Sequence, residues 1–201
     1  QFAQYITGLL RGDLGTSLRT KRPVTDEIGR RLMNTMALTG LSLVWSTLAG
    51  VLMGAWSARH RNRWQDYAGM TTAVSGISLP NFWVGFILIM VFSVRLKWLP
   101  TTGAGSFRNL ILPSITLGIS IAAIVARFTR SSLLDVLKSD FVRTARAKGA
   151  PERRILWKHA FRNSMVAVIT VVGLQFGFLL GGSVVTEAVF AYPGIGSLLV
   201  E

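Results

Sequence analysis

Long uncharged stretches alternate with short charged blocks along the chain. Arg31 and Arg59 enclose 27 uncharged residues, Asp66 and Arg95 enclose 28, Arg108 and Arg127 enclose 18, and Arg162 and Glu187 enclose 24. About 20 apolar residues in a helix cross a hydrocarbon layer of about 30 Å. The pattern therefore predicts four transmembrane helices near 35–57, 69–94, 110–127 and 163–186. A large soluble helical bundle is the competing reading, but buried helices of soluble proteins rarely run so far without a charge. The expected fold class is all-α, a polytopic membrane helix bundle.

Within these stretches small residues recur at a spacing of four. Ser42, Ser46, Gly50 and Gly54 form one set and Gly173, Gly177 and Gly181 another. That spacing puts each set on one helix face, where small side chains let two backbones approach closely in lipid. Packing within the chain is one reading of each set; a subunit seam or the wall of a narrow conduit is the other. The second stretch holds Ser78-Leu79-Pro80-Asn81. A proline inside a span kinks the helix and frees a carbonyl. Asn81 and, in the fourth stretch, Gln175 are polar groups in apolar runs, which face protein or a water-filled space. Ser78, Pro80, Asn81 and Gln175 are the candidate pathway residues, with hydrogen bonding between helices as the alternative. No ionisable residue falls inside the four predicted spans, so a buried proton relay is not available there.

Composition changes this picture by showing where the charge sits. Half of the 201 residues are hydrophobic and only 15 % are charged, yet the net charge is +13 and the mean hydropathy +0.45. Disorder is excluded by the apolar content. With no Cys and two His, thiolate zinc sites are excluded and no metal or cofactor is expected. Four spans place segment 1–34, loop 95–108 and the C-terminus on one side with 9 Lys and Arg. Loops 58–68 and 127–162 lie on the other with 13. Positive loops next to spans stay in the cytoplasm, which places 127–162 there. Trp98, and Trp56 or Trp64, stand where interfacial anchors belong.

Loop 127–162 carries ten Lys and Arg and three acids. Ser131 to Lys148 has helical composition without Gly or Pro, Gly149 suits a C-terminal cap, and Pro151 suits the first turn of a new helix. The expected shape is helix, sharp corner, helix. Glu152 fits the positive start of the second helix, but Arg153 and Arg154 do not, and an acidic partner would explain them. A solvated loop and attraction to anionic headgroups stand beside docking of a cytoplasmic protein. Nucleic-acid binding finds no support in a basic cluster held between two spans. The chain has no phosphate-binding loop of the G-x-x-x-x-G-K-[ST] type, so any ATP would be bound by another polypeptide.

At this loop the sequence resembles a family. Arg143-Thr-Ala-Arg-Ala-Lys-Gly149, followed by His159-Ala-Phe-Arg-Asn163, resembles the coupling-loop signature of permease subunits of binding-protein-dependent ABC importers, most closely the dipeptide/oligopeptide/nickel subfamily. Arg143-Thr144-Ala145 stands where the family has Glu-Ala-Ala, Gly149 matches, and Ala167 stands where a proline is usual. Gly12-Asp-Leu-Gly-Thr-Ser17, Trp98-Leu-Pro-Thr-Thr-Gly103, and Gly181 to Phe190 with Pro193-Gly194-Ile195-Gly196 resemble other segments of these permeases, in the same order. The resemblance implies a fragment of a six-helix type I ABC importer permease in the bacterial inner membrane, without catalysis of its own. It further implies two cytoplasmic ATP-binding subunits, a second homologous permease and an external substrate-binding protein, with no nucleic acid. Arg143, Thr144, Ala145, Arg146, Ala147, Lys148, Gly149, Ala150, Pro151 and Arg153 would dock an ATPase, and Glu187 would serve at an outer gate, or simply be solvated at a helix end. Residues 1–34 would be an external segment leading into the membrane, 35–186 the transmembrane domain with coupling loop 128–162, and 187–201 an external loop and the start of a truncated last helix.

Two other classes compete. A membrane-embedded enzyme needs a polar constellation at one depth, but both His60 and His159 lie in basic loops, and neither HExxH nor GxSxG occurs. A structural membrane anchor accounts for the basic loop but not for a proline- and asparagine-bearing span.

Overall fold

The long helices run on into the charged blocks, so they outrun the uncharged stretches. A computed structural model describes residues 14–17 and 21–200. Helix α1, Val24–Arg59, has 36 residues and opens with Asp26 and Glu27 in its first turn, where acids suit the positive helix end. Then come α2, Trp64–Ser78, and α3, Asn81–Leu88, continued by π-helical turns over Ile89–Arg95. Helix α4, Phe107–Val136, has 30 residues, and α5 is Asp140–Ala147. Helix α6 runs Glu152–Gly182, with a π-helical stretch at Ile155–Phe161. Two short helices, α7, Val184–Val189, and α8, Ile195–Val200, close the described chain. Among the described residues no strand forms; Thr16 and Pro23 make one isolated bridge. The start of segment 1–34 lies outside the described residues, Gly12 and Asp13 of its motif included; from Val24 onward it is already helix.

Three helices, α1, α4 and α6, are long and apolar enough to cross a membrane. The second predicted span is not one kinked helix. Helices α2 and α3 meet at 100°, and the span count reaches four only if this bent pair is one crossing. The cause is local. Pro80 lacks an N–H and forces the preceding residue out of the helical region; Leu79 has ψ 129° and Pro80 ψ 132°. Two successive extended residues turn the chain far more than one missing hydrogen bond does.

The predicted helix from Ser131 to Lys148 is likewise two helices. Ser139 takes an extended conformation before α5, and its hydroxyl donates to Val136 O at 2.6 Å. Ser139 and Asp140 together form a favoured helix start, which outweighs the lack of any Gly or Pro.

The bundle is built on α1 against α4. Ser42, Ser46, Gly50 and Gly54 are all buried. A Cβ added at Gly50 would lie 2.6 Å from Ala122 O, and one at Gly54 would run into Ala126 O and Thr129. This set is therefore packing within the chain, with backbone on backbone. Farther out, Gly118 of α4 lies under the Trp45 indole, whose Nε1–H donates to Ser114 O at 3.1 Å. Leu38, Leu117, Ile121 and Val125 fill the centre with Val168 and Leu179 of α6. The second set behaves differently. Gly173, Gly177 and Gly181 are exposed, with no neighbouring atom within 4 Å of an added Cβ.

Candidate functional site

The break at Leu79–Pro80 brings the start of α3 opposite α4 and α6 and opens a cavity of about 320 Å³ between them. Asn81, Gln175 and Ser120 supply its polar lining, and Leu79, Ile121 and Phe178 are among its apolar walls. Residues 94 positions apart in sequence thus share one cavity. The Ser120 hydroxyl donates to Leu117 O within its own helix at 3.3 Å. Neither the Asn81 nor the Gln175 side-chain amide bonds another described residue, so both remain open to whatever enters. Pro80 shapes the cavity from the backbone. Ser78 lies elsewhere: it lines a hollow beside Tyr67, Met70 and Ser75 and donates to Val74 O at 3.0 Å.

At the far end of α4 stands the basic corner. Helix α5 ends in a paired cap. The Gly149 N–H donates to Arg146 O at 2.9 Å and the Ala150 N–H to Ala145 O at 3.1 Å, which satisfies two carbonyls the helix end would leave open. Gly149 has φ +78°, a left-handed conformation that glycine adopts without strain. Pro151 then leads into α6 with ψ 144°. The predicted corner, with Gly149 as cap, is therefore present. Val142 and Ile155, both 0 % exposed, anchor its two arms. Arg143, Thr144, Ala147 and Lys148 are exposed around the apex, as are Gly149, Pro151 and Arg153, while Ala145 and Ala150 are half-buried. Arg146 is engaged within the chain: Nε and Nη2 donate to Glu152 at 2.7 and 3.3 Å, which raises the guanidinium pKa. The acid that answers Arg146 is thus its own neighbour across the corner. So exposed a pair is worth under about 1 kcal/mol.

At the other end of the bundle Glu187 is 0 % exposed, so it is not solvated at a helix end. Its Oε1 accepts from Thr35 Oγ1 at 2.8 Å and Ser183 Oγ at 2.9 Å, and its Oε2 from the Ser197 N–H at 3.0 Å. Thr35 Oγ1 also accepts the Ile195 N–H at 2.9 Å, and Asn34 Nδ2 donates to Pro193 O at 2.9 Å. An added Cβ at Gly194 would collide with the carboxylate, and one at Gly196 would lie 2.9 Å from Oε2. The motif Glu187…Pro193-Gly194-Ile195-Gly196 is therefore one carboxylate and the bare backbone that closes over it.

Cavity, long helix and corner make a helical unit apolar enough for a membrane, with three polar side chains in an otherwise apolar cavity and one strongly basic end. Residues 50–201 match the family described as "Binding-protein-dependent transport system inner membrane component". The chain belongs to that family. Two relatives are the glutathione transport system permease protein GsiC of Salmonella typhimurium (strain LT2), 54 % identical, and that of Escherichia coli (strain K12), 55 % identical, each over all 201 residues. The chain spans 66 % of the length of these relatives. A crystal structure of an amino acid ABC transporter with histidines shares the fold at TM-score 0.65, covering 87 % of this chain and 76 % of that one at 16 % identity. The resemblance to permeases of binding-protein-dependent importers, drawn from the ordered motifs, thus holds.

One feature of this inner-membrane permease escaped the sequence reading. Arg130 of α4 grips Asp66 of α2 with two hydrogen bonds of 2.6 Å each, and Asp66 also accepts the Asn62 N–H at 3.1 Å. The carboxylate side chain is 3 % exposed and the arginine 27 %. The available signal was Asp66 itself, a lone acid after Arg59, Arg61 and Arg63; its partner, 64 residues away, could not be chosen. Asp66→Ala is expected to cost about 1–3 kcal/mol, because the guanidinium loses its partner, and Asp66→Ala with Arg130→Met should recover most of it. Thermal unfolding of the purified protein in detergent reads both; an unchanged Tm in the single variant would contradict a structural pair.

Proposed function

We propose that this chain forms one half of the translocation pathway of an ATP-driven importer for glutathione or a related small peptide. The observation that carries the reading is α4. It lines the cavity with Leu117, Ser120, Ile121 and Ile124 and continues without interruption to Val136 beside the corner. Closure of an ATPase on the corner therefore has a rigid path to the cavity, and the ATP-bound and ATP-free states bias the same element. The unbonded amides of Asn81 and Gln175 suit a substrate rich in peptide groups. The relatives named for glutathione transport support that class.

On this reading two cytoplasmic ATP-binding subunits engage the corner through Arg143 to Pro151 and Arg153, and an external binding protein delivers substrate. A second homologous permease seats against the open Gly173, Gly177 and Gly181 face. Residues 35–186 hold the transmembrane domain with coupling loop 128–162, and 187–201 lie at the outer mouth, where Glu187 fixes the loop and so acts on a gate through position. Ser78, away from the cavity, serves the pathway only by its place before the break.

The test is charge reversal at the corner. Arg143→Glu with Arg153→Glu in the full-length permease, co-expressed with its ATPase, should lower ATPase retention about tenfold while the permease stays inserted. Equal retention and equal uptake of labelled glutathione would refute the docking role.

A further inference from the structure

Two hollows adjoin each other between the corner and the body of the bundle. One, about 330 Å³, lies between Arg59 at the end of α1, Leu137, and Arg153, Leu156 and Trp157 of α6. The other, about 450 Å³, is formed by Pro151, Arg153, Arg154, Trp157 and Lys158. They share Arg153 and Trp157. Four cations thus converge: Arg59, Arg153, Arg154 and Lys158. None has an ion-pair partner among the described residues, and Glu152, the one acid lining either hollow, is bound by Arg146 at 2.7 Å. Unpaired cations this close together call for an anion.

Depth identifies which anion. Arg59 is the first charge after the 27-residue uncharged run of α1, and Lys158 lies one turn before Arg162, where the 24-residue run of α6 begins. Both hollows therefore open at the boundary between hydrocarbon and water. The first hollow has apolar lining from Ala58, Leu137 and Leu156, and Trp157, shared by both and 46 % exposed, is a residue type that settles at headgroup level. The docking apex at Gly149 is separated from Lys158 by the first turns of α6. Docking at the apex reaches only the outer rim of this cleft, at Pro151 and Arg153, and leaves Arg59, Arg154 and Lys158 to another ligand. We propose that the cleft holds the phosphodiester headgroup of an anionic phospholipid, with Arg59, Arg154 and Lys158 as its ligands and Trp157 against its glycerol and acyl region. The placement rests on the cytoplasmic corner of the proposed function; the lipid itself does not depend on transport.

The test uses the full-length permease, delipidated and then titrated with phosphatidylglycerol or phosphatidylcholine, with bound lipid counted by native mass spectrometry. Wild-type protein should retain phosphatidylglycerol selectively. Each cation near an anionic surface contributes a factor of about five, so Arg59→Gln, Arg154→Gln and Lys158→Gln should each weaken retention about fivefold. Arg59→Lys, Arg154→Lys and Lys158→Arg should restore it, which separates charge from folding. Equal retention of the two lipids by wild type, or unchanged retention in the three neutral variants, would overturn the proposal. So would displacement by millimolar inorganic phosphate, which would mark a site for a free anion. If the neutral variants lose the ATPase but keep the lipid, the cleft belongs to docking and the lipid site fails. Arg143→Glu alone, by contrast, can lose the ATPase without touching this result, because Arg143 lines neither hollow.

Discussion

Gly149→Val is expected to abolish uptake, by more than about a hundredfold, in a permease that still inserts and still meets its ATPase. Crowding is not the reason, because no atom lies within 4 Å of an added Cβ. The reason is the backbone at φ +78°, where an L-residue costs about 1–2 kcal/mol and a β-branched one more. That is a modest fraction of folding stability but a large demand on one corner. To escape it the chain must give up the Gly149 and Ala150 bonds to Arg146 and Ala145, and the direction in which Pro151 launches α6 then changes. Motion of the ATPase would no longer reach α4 in register. A graded series checks the argument: Gly149→Asn should retain most uptake, since asparagine tolerates this conformation, Gly149→Ala less, and Gly149→Val none. Uptake into proteoliposomes, measured beside ATP hydrolysis, reads the series. Normal uptake by the Val variant would refute transmission through the corner.

The second large effect is expected at Glu187. Removing its carboxylate strands three donors, Thr35 Oγ1, Ser183 Oγ and the Ser197 N–H, in a site closed to solvent. A buried unsatisfied donor costs about 1–3 kcal/mol, and the two hydroxyls can turn to other acceptors whereas the N–H cannot. Glu187→Ala should therefore cost about 3 kcal/mol, which for a chain of this size lowers Tm by about 6–12 °C. Glu187→Gln keeps the shape but turns an NH₂ toward a donor, so it should fall between Ala and wild type. Thr35→Val removes only one partner and should cost less than Glu187→Ala. Gly194→Ala attacks the same site from outside by pushing a methyl into the carboxylate. Thermal unfolding in detergent orders the four variants, and limited proteolysis between α7 and α8 reports the loop. A Glu187→Ala protein with wild-type Tm and wild-type cleavage would show that the network holds nothing.

These two residues also mark what the sequence could and could not disclose. Gly149 was legible because a cap is local: a helical stretch, a glycine and a proline two positions on decide the geometry among themselves. The same holds for Ser42, Ser46, Gly50 and Gly54, whose spacing alone puts them on one helix face, although it does not say what that face meets. Asn81 and Gln175 were legible as polar residues in apolar runs, but their meeting in one cavity depends on how far the chain turns at Leu79–Pro80. A proline in a span announces a kink; the 100° break takes two successive extended residues, Leu79 and Pro80, and a proline by itself announces only the first. Asp66 went unremarked, and solvation stood as an alternative for Glu187, for a related reason. Both lie at the edge of an uncharged run, where solvation is the ordinary fate of an acid, and only the fold supplies Arg130 to one and Thr35 with Ser197 to the other.

The seam between α1 and α4 has a mechanical consequence. Bare backbone on backbone at Gly50 and Gly54 leaves no flexible side chain to yield between α1 and α4 there, so they respond to load as one stiff beam. Helix α4 alone is about 45 Å long at 1.5 Å per residue. A tilt of about 5° around its middle moves each end by about 2 Å. Compliance is then concentrated where extended backbone interrupts the helices, at Leu79–Pro80 beside the cavity and at Ser139 beside the corner. A beam with one soft joint near each working end acts as a lever, and its fulcrum is the stretch where glycine has removed every spring.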